Sequence, residues 1–450
     1  MDFHQRYSGH FIQQGMNSVG HARHYLSGLL GTQRRKNIET IHNDVAQSDY
    51  QGMEQFISSS PWCHQALMDQ LAMDADEILG DDTQTGLFLD ESSFLKKGKA
   101  SVGVQRQWSG RAGKVENCQV GVFACLGKDE HMAITDFRLY LPESWAKDHD
   151  RCEKAKIPLE HRNYQPKWRQ ALELVRHARQ LGVRFGWVGV DSLYGSNAEF
   201  LDELEDSGEI FMADINKTTK IWTSEPKLIH PSGTADSAVK GRPRKWPKLH
   251  SRNTARYVAV GKLVEEQFAT SHRELSYRQG QKGRLTTRCW VVPVWCWEKG
   301  RAKARQRMLV VRRDADDAYK YSLTNLTSSR AWERYAWMQG QRFWIEHAFH
   351  EAKTQLGMAQ YQVRVWKGWH HHISLVCLAL LFTIKMRLNT RIEAPLLSTR
   401  DITELLDFYL PRKGLTEAEV IEQIRQRHRL RQMDIDRRRL HQPGLPNLTK

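Results

Sequence analysis

Two short apolar stretches that each end in an aspartate decide the fold: Gly86-Leu-Phe-Leu-Asp90 and Trp187-Val-Gly-Val-Asp191. Each has the length and composition of a buried strand. A single aspartate after a strand is most simply a turn residue. Because two strands share this form, a pair of ligand-binding carboxylates at one edge of an α/β sheet explains them equally well.

The pattern around these stretches alternates between strands and helices. Three strand-like runs follow the first stretch, a helix precedes the second, and a helix and another strand come after it. Three consecutive strands followed by β–α–β alternation predict a ribonuclease-H-like mixed sheet flanked by helices. The runs are Ser101–Arg106, Cys118–Cys125, His131–Leu141, Lys167–Leu181, Asn197–Ser207 and Glu209–Ile215.

The positive charge of the chain is concentrated in one segment. The formal net charge is +15, yet residues 216–313 alone hold 23 Lys and Arg against six Asp and Glu, so the rest of the chain carries −2. Strand-like runs in this segment predict a basic β-rich insertion that interrupts the core, and its charge indicates a polyanionic partner. The runs are Ala255–Val264, Arg288–Trp297 and Arg307–Arg313.

These patterns predict five parts of the chain. The helical N-terminal part, with Arg34-Arg35-Lys36 at a helix start, is equally consistent with a packing or dimerisation module and with a domain that binds DNA ends. The predicted parts are a helical N-terminal domain (1–80), the first part of the catalytic core (81–215), the insertion (216–328), the C-terminal helical part of the core (329–395) and a helical, basic tail (396–450).

Several classes of protein do not fit the composition. The N-terminal residues show no secretory signal, and the longest apolar run, Ile373–Ile384, is shorter than a membrane-spanning helix requires. None of the seven cysteines forms a CxxC pair or a common zinc spacing. We therefore expect a cytoplasmic protein with reduced thiols and no membrane partner.

A third carboxylate is predicted from a helical pattern over Ala331–Leu356. Arg342, Glu346 and Lys353 are spaced to project from one face, with a cation on each side of the carboxylate. A solvated, ion-paired face is the alternative explanation. Glu351 is the rival on this helix but points elsewhere, and Asp214 and Glu91 are weaker rivals of the two strand aspartates.

Three carboxylates on distant parts of a chain suit phosphodiester chemistry. Two divalent ions can activate the attacking oxygen and stabilise the leaving 3′ oxygen. Mg²⁺ needs only one or two protein carboxylates besides water and phosphate oxygens. Asp90, Asp191 and Glu346 are therefore candidate metal ligands.

The chain resembles the DDE transposases of bacterial insertion sequences, in the branch with a Y-x2-R-x3-E-x6-K signature. Arg342, Glu346 and Lys353 match this signature, whereas Gln339 stands at the tyrosine position. The blocks around Asp90 and Asp191, and the segment Leu356–Arg364 followed by Gly368-Trp-His-His-His, also resemble that family. The resemblance implies a ribonuclease-H-like catalytic domain, two Mg²⁺ or Mn²⁺ ions, and cut-and-paste movement of an element with inverted-repeat ends.

Catalysis and metal binding are expected at Asp90, Asp191 and Glu346. Double-stranded DNA, as terminal repeats and target, is the expected partner of a homodimer located in the cytoplasm at the nucleoid. A catalytically silent DNA-binding regulator and a ribonuclease-H-like nuclease without strand transfer are the two rival functions. The residues expected to contact DNA are Arg342, Lys353, Tyr361, Arg364, Arg242, Arg244 and Lys245.

Overall fold

The described part of the first eighty residues is mostly helical, with one short, exposed pair of strands after the first helices. The computed structural model describes residues 2–13, 15–110, 112–231, 244–280, 283–314, 318–327, 332–414 and 416–441. The elements of this N-terminal part are α1 (Asp2–Tyr7), β1 (Ile12–Gln13), β2 (Met16–Asn17), α2 (Val19–Leu29), α3 (Ile38–Asp44), α4 (Tyr50–Ser58) and α5 (His64–Leu79).

Strands and helices then alternate much as the sequence predicts. The elements are β3 (Asp81–Leu95), β4 (Gln105–Ser109), β5 (Lys114–Lys128), β6 (His131–Leu139), α6 (Glu143–Ala146), α7 (His149–Lys154), α8 (Lys167–Gln180), β7 (Phe185–Val190), α9 (Ser192–Gly195), α10 (Ala198–Asp206) and β8 (Phe211–Asp214). The strand predicted over Ser101–Arg106 is only partly present, because Gly103 turns the chain at φ +70° and β4 begins at Gln105.

The core of the sheet has β3 at its centre. On one side, β7 pairs parallel with β3 and β8 pairs parallel with β7. On the other side, β5 pairs antiparallel with β3 and β6 pairs antiparallel with β5. The predicted α/β class, a large mixed sheet flanked by helices, is confirmed, and it is consistent with a ribonuclease-H-like fold.

The basic segment extends this sheet. Its elements are β9 (Lys220–Trp222), β10 (Leu228–Ile229), β11 (Lys248–Leu249), β12 (Tyr257–Ala259), α11 (Val260–Ser271), β13 (Arg273–Gly280), β14 (Gly283–Cys296), β15 (Arg305–Arg313) and β16 (Tyr319–Thr324). Strand β16 pairs antiparallel with β8, and the sheet continues through β15, β14, β9 and β12. The segment is therefore hydrogen-bonded directly to the core.

The strand predicted over Ala255–Val264 is only partly present. It spans Tyr257–Ala259, and helix α11 begins at Val260. The buried side chains of α11 follow a helical repeat, with Val260, Leu263, Val264 and Phe268 on one face. This helical repeat overrides the strand preference of the valines. The predicted run ends at Val264, so it contains only the start of the repeat, which is too short to distinguish a helix from a strand.

The C-terminal part of the described chain is helical. It contains α12 (Trp332–Gln341), α13 (Phe343–Thr354), α14 (Trp366–Asn389), α15 (Thr399–Leu406) and α16 (Glu417–His441). The single helix predicted over Ala331–Leu356 is thus divided at Arg342. Among the described residues, α14 is the one helix long and apolar enough to cross a membrane, but 72% of its most apolar window is buried inside the protein.

Helix α14 joins the N-terminal helices to the core. Its three consecutive histidines, His370, His371 and His372, are buried. The hydroxyl of Tyr25 in α2 lies 2.8 Å from Nδ1 of His372, and Nδ1 of His371 lies 2.9 Å from the Ile57 carbonyl oxygen. The N-terminal helices therefore share one core with the catalytic part, and the predicted domain boundaries stay a prediction.

Gly195 is required where α9 approaches β8. A Cβ atom built on this residue would lie only 1.9 Å from the carbonyl oxygen of Asp214. We expect Gly195→Ala to lower the stability by about 2 kcal/mol or more, because backbone must move to admit the methyl group. The measurement is chemical unfolding of both proteins.

Gly20→Ala is the matched control for this substitution. Gly20 lies in helix α2, and a Cβ atom there has no neighbour within 4 Å. The control should raise the stability by up to about 1 kcal/mol, since alanine is the better helix former. Equal stability of Gly195→Ala and the parent would show that α9 does not depend on this close approach.

Candidate active site

Asp90 and Asp191 lie side by side on neighbouring strands. Leu89 and Val190 form the last pair between β3 and β7, and each aspartate is the next residue. Parallel strands lie about 4.8 Å apart, so the register itself brings the two carboxylates together. The sequence predicted that this strand ends at Asp90, but β3 continues to Leu95 alongside β5.

Backbone N–H groups orient both carboxylates. Asp191 is the N-cap of α9, where it accepts hydrogen bonds from the backbone N–H of Leu193 (3.0 Å) and Tyr194 (3.4 Å). Asp90 accepts one from the N–H of Glu91 at 2.7 Å. These contacts hold the acidic groups in place while leaving other lone pairs available.

The environment of the two aspartates disfavours two negative charges. Burial, followed by the charge of Asp191, raises the pKa of Asp90 to about 7, although Arg342 opposes the shift. Burial also raises the pKa of Asp191, which Arg342 and the backbone N–H groups counteract. A divalent cation between them would relieve this repulsion and displace the protons.

Arg342 is the positive centre of the site. Its Nε donates to Asp214 at 2.7 Å, its Nη2 lies 3.1 Å from Glu346, and its Nη1 lies 3.6 Å from Asp90. Burial alone would lower the pKa of Arg342, but these carboxylates raise it overall. The residue therefore connects the core strands to helix α13 by charge.

A buried chain of hydrogen bonds holds Arg342 from behind. Gln339 Nε2 donates to Ser322 Oγ at 2.7 Å, and Ser322 Oγ donates to Asp214 Oδ1 at 2.6 Å. The other oxygen of Asp214 accepts from Arg342. Gln339, at the tyrosine position of the signature, is thus buried and supports Asp214 through Ser322. Through Ser322, strand β16 of the basic segment also contributes to the site.

Glu346 and Glu351 occupy different environments. The Glu346 side chain is 60% exposed and contacts Arg342, whereas Glu351 is buried beside Arg387 at 3.4 Å. Glu346 is therefore the one available to a ligand. Lys353, on the same helix, donates to the Ser93 carbonyl oxygen at 3.4 Å, which places its ammonium group beside β3 just beyond Asp90.

Two residues of this region were missed or underestimated from the sequence. Lys167, at the start of α8, lies 2.5 Å from Glu91, whose pKa is raised by burial despite this cation. Glu91 is thus engaged in an ion pair. Asp214 had been considered only as a rival ligand, whereas it forms the shortest ion pair of Arg342. A single sequence contains no signal for either long-range pair.

The remaining predicted DNA contacts are scattered. Arg364, Arg244 and Lys245 are exposed, and Arg242 lies outside the described residues. Tyr361 is buried, and its hydroxyl donates to Gln119 Oε1 at 2.7 Å. Burial does not fit the DNA contact expected for Tyr361, so we assign this side chain to packing.

Part of the positive charge of the basic segment is neutralised within the protein. Arg301, Arg305 and Arg307 contact acidic residues of α10, Asp202 among them at 2.6–3.0 Å. These ion pairs fasten β15 and the preceding loop to the core. The net charge of the segment therefore overstates what is available to a polyanion.

Carboxylate oxygens are the ligands that Mg²⁺ and Mn²⁺ prefer, and Asp90 and Asp191 offer them from one edge of the sheet. No three acidic, histidine or cysteine side chains in the described ranges converge closely enough to hold a metal ion. Glu346 contacts the Arg342 guanidinium through one of its two carboxylate oxygens, at 3.1 Å. The two aspartates fit a divalent ion, and Glu346 lies at the margin of the site.

The fold and the site define the class as an α/β protein with acidic residues at the same edge of two neighbouring parallel strands, an arrangement consistent with a ribonuclease-H-like fold. The family model described as DDE superfamily endonuclease matches residues 13–284, more than half of the chain. The chain belongs to the DDE superfamily of endonucleases, as its resemblance predicted. The matched residues include Asp90 and Asp191 and stop before Glu346.

A curated relative supports a transposase. A protein of Microchaete diplosiphon, named "Probable transposase for insertion sequence element IS701", is 27% identical over 185 residues, which are 39% of this chain and 44% of the relative. The aligned part thus spans less than half of the length of either protein.

The raised pKa of Asp90 predicts how the metal-free protein responds to pH. An unfolded aspartate has a pKa of about 3.9, and in the folded chain the pKa of Asp90 is about 7. The folded state then binds the extra proton, so its stability falls as pH rises between these values. Asp90→Asn should raise the stability at pH 8 by about 1–4 kcal/mol.

Thermal unfolding in a chelator at pH 5 and pH 8 measures this effect. The gain from Asp90→Asn should be larger at pH 8, and Asp81→Asn is the control at the other end of β3. Hydrogen bonds from Gln84 and Thr83 hold the pKa of Asp81 below its usual value, so the control should not be stabilised at pH 8. An equal gain at both pH values would contradict the assigned shift.

Removing the Ser322 hydroxyl should damage the chain of hydrogen bonds. Ser322→Ala leaves Asp214 Oδ1 and Gln339 Nε2 without this partner, and the expected loss of stability is about 1–3 kcal/mol. Ser374→Ala is the control, because the Ser374 hydroxyl is equally buried but donates only to His370 O in its own helix. Similar unfolding midpoints for the two variants would show that these hydrogen bonds contribute nothing to the stability.

Proposed function

We propose that this chain is a DNA transposase that binds the terminal inverted repeats of an insertion sequence and moves it by phosphodiester hydrolysis and strand transfer. The observation that supports this most is the adjacency of Asp90 and Asp191 on strands β3 and β7 in a chain of the DDE endonuclease family. The similarity to a probable insertion-sequence transposase points the same way.

In this proposal Asp90 and Asp191 hold two Mg²⁺ or Mn²⁺ ions, and Glu346 completes the ligand set from α13. Bound divalent ions activate the attacking oxygen and stabilise the leaving 3′ oxygen. Strand register and N–H groups keep the aspartates in position before substrate arrives, which reduces the reorganisation needed for reaction.

Arg342 and Lys353 are the proposed phosphate contacts. Arg342 already lies among Asp90, Asp214 and Glu346, so a phosphate that approaches Asp90 meets its guanidinium. Asp214, which Ser322 and Gln339 fix in place, keeps one edge of that guanidinium occupied and thereby orients the other. The ammonium group of Lys353, on helix α13, lies beside β3 at Ser93 and neutralises the adjacent phosphate.

The basic segment is the proposed holder of the element ends. Its exposed cations, including Arg244 and Lys245, and the exposed Arg364 contact phosphates without reading sequence. Cutting and joining at both ends need two active sites, so a homodimer is proposed in the DNA complex, in the cytoplasm at the nucleoid. The helical N-terminal part is proposed to read the repeats.

A cleavage and joining assay tests this function. The substrate is linear DNA with the two ends that flank this reading frame, incubated with a supercoiled target plasmid and Mg²⁺ or Mn²⁺. We expect cleavage at the ends and covalent joining to the plasmid. Asp90→Asn should abolish both while DNA binding persists, and Asp81→Asn should preserve them.

The two rival functions give different products. Cleavage without joining would identify a ribonuclease-H-like nuclease. Binding of the ends without cleavage would identify a catalytically silent DNA-binding regulator. Cleavage that survives in Asp90→Asn would refute the assignment of the metal ligands.

A further inference from the structure

Three strands of the sheet project beyond the two aspartates. After its last pair with β7, strand β3 continues from Glu91 to Leu95 with β5 as its neighbour, and β5 also pairs with β4. Along β5, Phe123 lies opposite Asp90 and Val115 lies opposite Trp108. At about 3.4 Å per residue, the tip of this β4–β5 hairpin lies roughly 27 Å past the level of Asp90.

The projecting region is strongly basic. Residues 92–115 contain six lysines and arginines and no acidic residue. Lys97, Lys99 and Arg106 are exposed, and within the described residues no carboxylate pairs with any of them at 4 Å or less. Glu116, the next acidic residue, is paired with Lys114 at 2.9 Å and interacts with Arg106 only at longer range. Unlike Arg301, Arg305 and Arg307, these three cations are available to a partner.

An exposed tryptophan accompanies the cations. Trp108 is 63% exposed, and Val115 opposite it is 47% exposed. Arg106 lies two residues before Trp108, on the same face of β4. Prevention of aggregation is by itself a sufficient reason for lysines and arginines on an edge strand. A strand protected for that reason alone would not also expose an indole ring. The combination indicates a contact surface.

We propose that the β4–β5 hairpin and the lysines before it bind the backbone of duplex DNA, about 5–8 base pairs from the bond cut at Asp90 and Asp191. A duplex rises about 3.4 Å per base pair, so the 17–27 Å reach of the projecting strands spans about that distance. The position along the DNA rests on the proposed function. Lys97, Lys99 and Arg106 contact phosphates, and Trp108 packs against the sugars between them.

The salt dependence of DNA binding tests the cations. The probe is a 40-base-pair duplex of mixed sequence, because phosphate contacts do not require the element ends. Each lost phosphate contact should reduce the slope of log affinity against log salt by about 0.9. We therefore expect Lys97→Ala/Lys99→Ala to reduce it by about 1.8 and Arg106→Ala by about 0.9.

Lys128→Ala/Arg176→Ala is the matched control. It removes the same formal charge away from the hairpin, since Lys128 lies at the opposite end of β5 and Arg176 on α8. Both control cations are already in ion pairs, with Asp81 at 3.3 Å and with Glu203 at 2.7 Å. Its slope should stay within error of the wild type. An equal change in the control and the test variant, no change in the test variant, or tighter binding of a single-stranded 40-mer than of the duplex would each overturn the proposal.

A footprint on cleavable DNA tests the position. The wild type should protect the DNA from hydroxyl radicals about 5–8 base pairs from the cut. The triple variant Lys97→Ala/Lys99→Ala/Trp108→Ala should lose this protection, and protection that persists in the triple variant would overturn the proposal. Cleavage by the wild type judges the proposed function separately. An unchanged slope in the hairpin variants, with active cleavage by the wild type, refutes only the proposal for the hairpin. A reduced slope in those variants, with no cleavage by the wild type, refutes only the proposed transposase function.

Discussion

The repulsion between two partly buried carboxylates is the constraint on which the site depends. The parallel register of β3 and β7 forces Asp90 and Asp191 together, and burial plus mutual charge raises the pKa of Asp90 to about 7. A fold optimised only for stability would separate them or replace one with a neutral residue. Such a pair of carboxylates with a perturbed pKa is typical of a functional site, and in the proposed function a divalent cation offsets its charge.

Arg342 is the counter-charge that the chain itself supplies, and its support comes from three places. Asp214 ends β8, Ser322 lies on β16, and Gln339 lies on α12, so core, basic segment and C-terminal helices meet behind one guanidinium. Because β16 also pairs with β8, a displacement of the basic segment would be transmitted through β16 to Asp214. The segment is thus part of the framework of the candidate site as well as a source of charge.

The sequence predicted what depends on local pattern. The apolar strands before Asp90 and Asp191 and the helix around Glu346 follow from periodicity, and the family follows from the motifs. It did not predict the pairing of β16 with β8, the division of the helix at Arg342, or the burial of Tyr361 against Gln119, because each depends on a partner distant in sequence. Net charge was similarly misleading until the ion pairs of Arg305 and Arg307 with α10 were known.

The most direct test of the central claim is anomalous diffraction from crystals soaked in Mn²⁺. The account predicts a peak bound to both Asp90 and Asp191, lost in Asp191→Asn, with the Arg342 guanidinium still held by Asp214. A peak that contacts neither aspartate, or Mn²⁺ bound equally well by Asp191→Asn, would contradict it.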